Sequence, residues 1–168
     1  NLSFNAGDNA RFRFKIVNEG GTRGACDVNF KFRDLLNGTQ SESLEPGEDK
    51  EMVFDFLIPA DMEETSCEAE YKVNAEIHKV NFNVIGMKVE TEAKVENDIF
   101  KLKVKNLSFA KGVTLFAETR CGDYEKKIDF VLDEEKDLEF NIPDLNNREK
   151  VYYGIYFESG RSLYLNSY

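Results

Sequence analysis

The sequence predicts an all-β chain built from two tandem antiparallel β-sandwiches. Three observations lead there. Apolar and polar residues alternate with period two along most of the 168 residues. Turn-forming residues interrupt that alternation every roughly 8–12 residues. The order of elements then repeats after about 80–90 residues, the size of one small sandwich. No stretch of a dozen residues carries a convincing helical period, and Asp133 to Asp137 suits at most a short polar turn. Together these describe two immunoglobulin-like domains, over residues 1–86 and 87–168. A single large sandwich is the alternative.

The strands follow in order. Phe12, Phe14 and Ile16 alternate with Arg11, Arg13 and Lys15, giving a half-buried strand with a basic outer face. Val28, Phe30 and Phe32 alternate with Asp27, Asn29 and Lys31. Met52, Phe54, Phe56 and Ile58 share one face of a third strand. Ala69, Tyr71, Val73, Ala75 and Ile77 share one face of a fourth, and Val80, Phe82 and Val84 complete the first set. Asn18-Glu-Gly-Gly21, Asn37-Gly38, Glu45-Pro46-Gly47 and Ile58-Pro59-Ala60-Asp61 carry the turn chemistry between them. A weaker alternation over Val89, Thr91, Ala93 and Val95 opens the second set. Phe100, Leu102 and Val104 follow, against Lys101, Lys103 and Lys105. Then come Val113, Leu115 and Ala117; Ile128, Phe130 and Leu132; Leu138, Phe140 and Ile142; Tyr153, Ile155 and Phe157; and Leu163 with Leu165, closed by a turn at Gly160.

The repeat is readable in three places. Phe12-Arg-Phe-Lys-Ile-Val-Asn18 parallels Phe100-Lys-Leu-Lys-Val-Lys-Asn106. The run from Leu44 to Pro59 parallels that from Leu132 to Pro143, and Glu70-Tyr-Lys-Val73 parallels Val151-Tyr-Tyr-Gly-Ile155. Ala6-Gly7-Asp8, the alternating strand, Asn18-Glu19-Gly20, a second strand and the Leu44-x-Pro46-Gly47 turn together resemble a CARDB-type domain over residues 6–85. That resemblance implies an immunoglobulin-like, fibronectin III-like sandwich of prokaryotic, often archaeal, cell-surface proteins. It also implies an adhesion role and brings no catalytic residues. The second repeat keeps the Asn106 turn and Pro143 but lacks the Pro-Gly turn. A sandwich of this type has a strand before its first turn. The second repeat supplies one at Lys88 to Val95, whereas the first offers only Leu2 to Phe4. A short edge, a truncated segment and a strand donated by another molecule are the three explanations.

Composition limits the function. Hydrophobic residues make up 41%, with 14 Phe and 7 Tyr, enough for a packed core. A formal charge of −10 repels phosphate backbones and anionic lipid, so no nucleic-acid partner is expected. No apolar run approaches the roughly 18–20 residues that span a bilayer, so no membrane insertion is expected within this segment. Asn1-Leu-Ser-Phe4 has no initiator Met and reads as the start of a processed or excised segment of a longer chain.

Candidate chemistry is sparse. The one histidine, His78, sits at a strand end, and nothing in the sequence brings Cys67 to it. No nucleophile elbow, phosphate loop or dinucleotide fingerprint occurs. Glu63-Glu64 and Asp133-Glu134-Glu135 fall in exposed turns, where solvated carboxylates make poor general acids. The same turns give the weak calcium candidates Asp61, Glu63 and Glu64, and Asp133, Glu134, Glu135 and Asp137. No enzyme activity, resident metal or cofactor is expected. Sequons at Asn1, Asn37 and Asn106 fall in predicted loops or at the terminus and mark glycosylation candidates. Cys26 and Cys67 open strands that run antiparallel, so they lie beyond disulfide reach. Cys121, before Gly122-Asp123, is the candidate exposed thiol. The basic rows at Arg11, Arg13, Lys15 and at Lys101, Lys103, Lys105 pair with acids across strands, or else form self-association patches.

The function this supports is a non-catalytic structural or adhesion module at the cell surface, part of a larger assembly. Its partners are proteins or further copies, reached through sheet edges or charged faces. The alternative is a carbohydrate-binding accessory module. It would present outward Tyr152, Tyr156, Tyr164 and Tyr168 if Tyr153 and Ile155 face in. A third reading is the non-catalytic part of a secreted enzyme.

Overall fold

The computed structural model describes residues 2–145 and 150–168. Its strands are β1 (Leu2–Asn5), β2 (Asn9–Val17), β3 (Gly24–Phe32), β4 (Leu36–Leu44), β5 (Asp49–Leu57), β6 (Thr65–Val73) and β7 (Glu76–Ile85), followed by β8 (Val89–Glu96), β9 (Ile99–Asn106), β10 (Val113–Cys121), β11 (Tyr124–Leu132), β12 (Glu135–Asn141), β13 (Tyr152–Phe157) and β14 (Ser162–Ser167). The chain divides into two compact units. One holds Asp8–Ile58, Glu64–Ile85 and most of β1; the other holds Gly86–Tyr168 with Asn5–Gly7 and Pro59–Glu63.

In the first unit a five-stranded sheet, β1-β7-β6-β3-β4, accompanies a two-stranded sheet, β2-β5. The β2–β5 register sets Ala10 opposite Phe56, Phe12 opposite Phe54 and Phe14 opposite Met52 on one face. The alternate face sets Arg11 opposite Asp55 and Lys15 opposite Glu51. Phe12, Phe30, Phe32, Phe54, Phe56 and Phe82 are all buried. The Phe12 and Phe30 rings lie 4.8 Å apart, Phe32 and Phe82 5.0 Å, and Phe30 and Phe54 5.5 Å. Removing apolar rings from water stabilises by about 1.5–3 kcal/mol each, so this phenylalanine cluster accounts for much of what holds the unit together.

In the second unit the sheets are β11-β10-β13-β14 and β12-β9-β8. Seven strands split four and three in this order make an immunoglobulin-like sandwich of the fibronectin III kind. The core gathers Phe100, Leu102, Val104, Leu115, Phe130, Leu132, Phe140, Ile142 and Ile155. These are the inward residues of the alternation.

One asparagine in each unit makes the same set of hydrogen bonds. Asn18 Nδ2 donates to Thr22 O (2.9 Å) and Leu44 O (2.8 Å), while its Oδ1 accepts from Gly20 N–H (2.9 Å). Asn106 Nδ2 donates to Ala110 O (2.6 Å) and Asp133 O (2.8 Å), and its Oδ1 accepts from Ser108 N–H (2.8 Å). Each side chain ties its own loop to the turn before β5 or β12. That use of both amide atoms explains why asparagine stands at this strand end twice.

Two local expectations fail. The row from Ala69 to Ile77 is not one strand: β6 ends at Val73, the chain turns at Asn74-Ala75, and Ile77 lies on β7 with its side chain exposed. Asn37-Gly38 is not a hairpin turn. The turn falls at Arg33–Leu35, where Leu35 N–H donates to Phe32 O (3.1 Å), and Asn37 and Gly38 lie inside β4. The stretch escapes an alternation reading because β4 is an edge strand whose inner row includes Gly38, Gln40 and Glu42. Gln40 still has a structural task there, donating to Val53 O at 2.6 Å.

Candidate functional site

The outer face of the second unit's four-stranded sheet carries an aromatic patch. On β10, Leu115, Ala117 and Thr119 point into the core, so Phe116, Glu118 and Arg120 point outward. On β13 the buried Tyr153, Ile155 and Phe157 leave Tyr152, Gly154 and Tyr156 on the outer face. Register places Phe116 opposite Tyr156, Glu118 opposite Gly154 and Arg120 opposite Tyr152. On the other side Gly154 faces Leu165 of β14.

Gly154 explains the shape of the patch. A Cβ built there would lie 2.6 Å from Tyr156 Cε2 and 2.8 Å from Leu165 Cδ2. Tyr156 and Leu165 therefore lean over the glycine and bury it, as aromatic side chains do over glycines in strands. The Tyr156 ring stacks on Phe116 at 5.0 Å and 12°, and Lys127 Nζ sits 3.8 Å from the Phe116 ring centre. Beside this stack, Tyr152, Tyr156, Leu165, Glu118 and Arg120 line a depression of about 410 Å³ floored by Gly154. The Arg120 guanidinium bonds the Glu118 carboxylate at 2.6 Å and lies 3.4 Å from Glu125. Tyrosine and arginine around a shallow hollow are side chains that anchor protein contacts.

The corresponding face of the first unit differs in kind. Its outward residues are Thr39, Ser41 and Ser43 on β4, Asp27, Asn29 and Lys31 on β3, Ser66, Glu68, Glu70 and Lys72 on β6, and Ile77, Lys79, Asn81, Asn83 and Ile85 on β7. The four-stranded sheet of the second unit thus carries stacked rings on its outer face, where the first unit's sheet carries polar residues with Ile77 and Ile85.

No family model matches the chain, and no curated protein matches it. Among solved structures it is similar to the FN1–FN3 domains of chicken CNTN1, at 11% identity and a TM-score of 0.33, over 100% of this chain. The chain spans 63% of that one's length. It is similar to a chain of the chaperone–tip adhesin complex of CFA/I fimbriae at 8% identity and a TM-score of 0.33, over 99% of this chain and 96% of that one. The fold assignment rests on the strand order itself.

The four expected tyrosines divide into two pairs. Tyr152 and Tyr156 share the outer patch. Tyr164 instead faces inward opposite Ile155, its ring 6.3 Å from Tyr153, and Tyr168 packs its ring 6.1 Å from Phe100. A bulge between Ile155 and Tyr156 shifts the β13–β14 register, which simple alternation cannot anticipate. Phe116 was readable as outward from its own strand, but only the pairing of β10 with β13 brings it to Tyr156.

Cys121 is not an exposed thiol. It is buried at the inward end of β10, paired with Tyr124 across the tight Gly122-Asp123 turn. Cys26 and Cys67 are both free; Cys26 is half-exposed, and partial burial raises its thiol pKa. His78 stacks on Tyr71 at 5.0 Å and 19°, its Nε2 3.7 Å from Glu76. Cys67 pairs with Phe82 and His78 with Tyr71, four residues further along the β6–β7 ladder, roughly 13 Å away.

The acidic candidates do not converge. Asp61, Glu63 and Glu64 lie on the segment joining β5 to β6. Asp133 accepts from Gly112 N–H (2.9 Å), Glu134 pairs with Lys111 (2.7 Å) and Glu135 with Lys103 (3.4 Å), while Asp137 sits opposite Lys103 on β9. Among the described residues no three Asp, Glu, Cys or His side chains form a group that holds a metal ion. Of the sequons, Asn1 lies outside the described residues, Asn37 is exposed on β4, and Asn106 has both amide hydrogens committed to carbonyls.

Both basic rows meet acids across strands. Arg11 makes a bidentate pair with Asp55 (2.8 and 2.9 Å), which holds that carboxyl below its ordinary pKa. Lys15 meets Asp49 at 3.0 Å. Lys101 meets Glu96 at 2.8 Å, and Lys105 meets Glu92 at 2.5 Å. Exposed pairs of this sort contribute only about 0.2–1 kcal/mol each. Their effect is on register and on keeping the faces polar. Among the described residues no helix is long and apolar enough to cross a membrane.

Proposed function

We propose that this chain is a non-catalytic adhesion or structural module of an extracellular, cell-surface assembly. It engages a protein partner through the outer face of its second sandwich. The observation that carries this reading is the Phe116–Tyr156 stack with Tyr152 and Leu165, a ring cluster for which the first unit's equivalent face has only Ile77 and Ile85 exposed among polar residues. Aromatic side chains left on the surface of a sheet, with an arginine beside them, favour a partner that covers them. The tandem organisation over residues 1–86 and 87–168 and the CARDB-like pattern of residues 6–85 fit a repeating unit of such a surface protein. The test is capture of surface proteins from the source cells by the intact chain, compared with a Tyr152→Ser/Leu165→Ser variant. Both positions are solvent-facing, so the variant keeps its fold, and it is expected to lose the captured partner. Equal capture by both proteins refutes the assignment.

The second reading, a carbohydrate-binding accessory module, is supported by the depression itself, where Tyr152 stands beside Glu118 and Arg120. A glycan array separates the two. Saturable binding of a defined sugar, abolished by Tyr152→Ala, favours the carbohydrate reading.

A further inference from the structure

We propose that the free side of β2 is a docking edge for an extended strand of a partner chain in which small apolar residues alternate with acidic ones. That strand completes the first unit's two-stranded sheet as β8 completes the second unit's. The surface is separate from the aromatic patch and does not depend on its role.

The warrant is the comparison of β2 with its counterpart β9, whose Asn106 plays the part of Asn18. β9 is flanked on both sides, by β12 and by β8. Among the described residues β2 has one neighbour, β5, because β1 has joined the other sheet beside β7, with Phe4 5.4 Å from Phe12 and 5.6 Å from Phe82. Every second residue on the open side of such a strand directs its N–H and C=O away from its neighbour.

The side chains register the missing strand. On β9, Leu102 and Val104 are fully buried, while their counterparts Phe14 and Ile16 are only half-buried. On the outer row Lys101 and Lys103 are 31% and 33% exposed, against 58% and 67% for the counterparts Arg13 and Lys15. The charges tell the same story. β9 lysines take acids from both neighbours, Glu96 and Glu92 on β8 and Glu139 and Glu135 on β12. Arg11, Arg13 and Lys15 take Asp55, Glu51 and Asp49 from β5, on one side.

This identifies the occupant by its chemistry. Two copies pairing β2 against β2 would set Arg11, Arg13 and Lys15 against the same cations, which is unfavourable. The strand that fits carries acids toward the basic row and small apolar residues toward Phe14 and Ile16. β8 has that pattern, with Val89, Thr91, Ala93 and Val95 inward and Glu90 and Glu92 outward.

The experiment titrates the intact chain into a fluorescein-labelled peptide of sequence Val-Glu-Thr-Glu-Ala-Lys-Val-Glu and follows anisotropy. Saturable binding is expected, weakened at least about tenfold when the peptide glutamates become lysines, or in Arg13→Glu/Lys15→Glu protein. N-methylation of alternate peptide nitrogens on the ladder side is expected to abolish binding, whereas attraction between charges alone would survive it. Amide exchange is expected to slow in β2. Absence of saturable binding at millimolar peptide, indifference to N-methylation, or protection appearing elsewhere than β2 overturns the proposal. The peptide comparisons use the unaltered protein, so they decide the question even if the charge-reversed variant fails to fold.

Discussion

Replacing Asn106 with alanine tests the loop clamp that both units contain. The side chain makes three hydrogen bonds, to Ala110 O, Asp133 O and Ser108 N–H. At about 0.5–1.5 kcal/mol net for each, and with two carbonyls left to find water, the expected cost is about 3 kcal/mol. A small domain has only ~5–15 kcal/mol to lose, and each kcal/mol lowers the midpoint of one this size by about 4–8 °C, so the second unit's melt should fall by roughly 12–24 °C. Asn106→Asp is the sharper variant. It keeps the acceptor for Ser108 N–H but turns a carboxylate toward two carbonyl oxygens, so at neutral pH it should cost at least as much as alanine. Its folded-state pKa is then raised above the unfolded value near 3.9, and the penalty, present above that folded pKa, should shrink as pH falls through it. Urea unfolding followed by far-ultraviolet circular dichroism and by the fluorescence of the 7 tyrosines, with no Trp to mask them, measures all of this. A cost below about 0.5 kcal/mol for Asn106→Ala, or Asp more stable than Ala at neutral pH, refutes the reasoning.

Other outcomes follow from the same geometry. Gly154→Ala should push Tyr156 and Leu165 off the sheet, costing about 1–3 kcal/mol and changing the near-ultraviolet tyrosine signal, while a silent substitution would mean the two side chains do not hold the glycine. With a thiol reagent under native conditions Cys26 alone should react, and slowly, because burial raises its pKa; Cys67 and Cys121 should react only on unfolding. Hydrogen bonds from Lys101 and Lys94 lower the Glu96 pKa from 4.5 to about 2, so its contribution to stability is intact above 4.5 and lost as pH falls through about 2. The acid-unfolding curve of Glu96→Gln should lack that component. In a glycosylating host, intact mass should show sugar at Asn37 and none at Asn106, whose modified amide would surrender a hydrogen bond of the clamp.

The strands were readable wherever one face is buried and the other wet, because burial then writes itself as alternation. Phe12 to Ile16 and Phe100 to Val104 are examples. Alternation was silent where burial is shallow, as on the edge strand β4, and there the Asn-Gly pair misled because a dipeptide reports local preference while pairing decides the outcome. The patch was half legible. Parity along β13 placed Tyr152 and Tyr156 outward, but a bulge redirected Tyr164, and only three-dimensional pairing joined Phe116 to the stack. Cys121 went astray for a related reason: a turn two residues long leaves the residue before it in the ladder, and its parity there points inward.

The two units share what folding requires and differ where folding is indifferent. The inward apolar rows and the Asn18 and Asn106 clamps recur because a sandwich needs a dry middle and a tied loop in either copy. The outer faces carry no such constraint, and there the units part: polar and charged side chains with Ile77 and Ile85 on the first unit's face, stacked rings on the second's. The edges part as well, since β9 gains a third strand and β2 does not. If the side chains over Gly154 served only to shield it, alanine in place of Leu165 would cost stability and leave partner capture untouched. If they serve recognition, that substitution should do the reverse, because a side chain 62% exposed contributes little to the fold and much to whatever covers it.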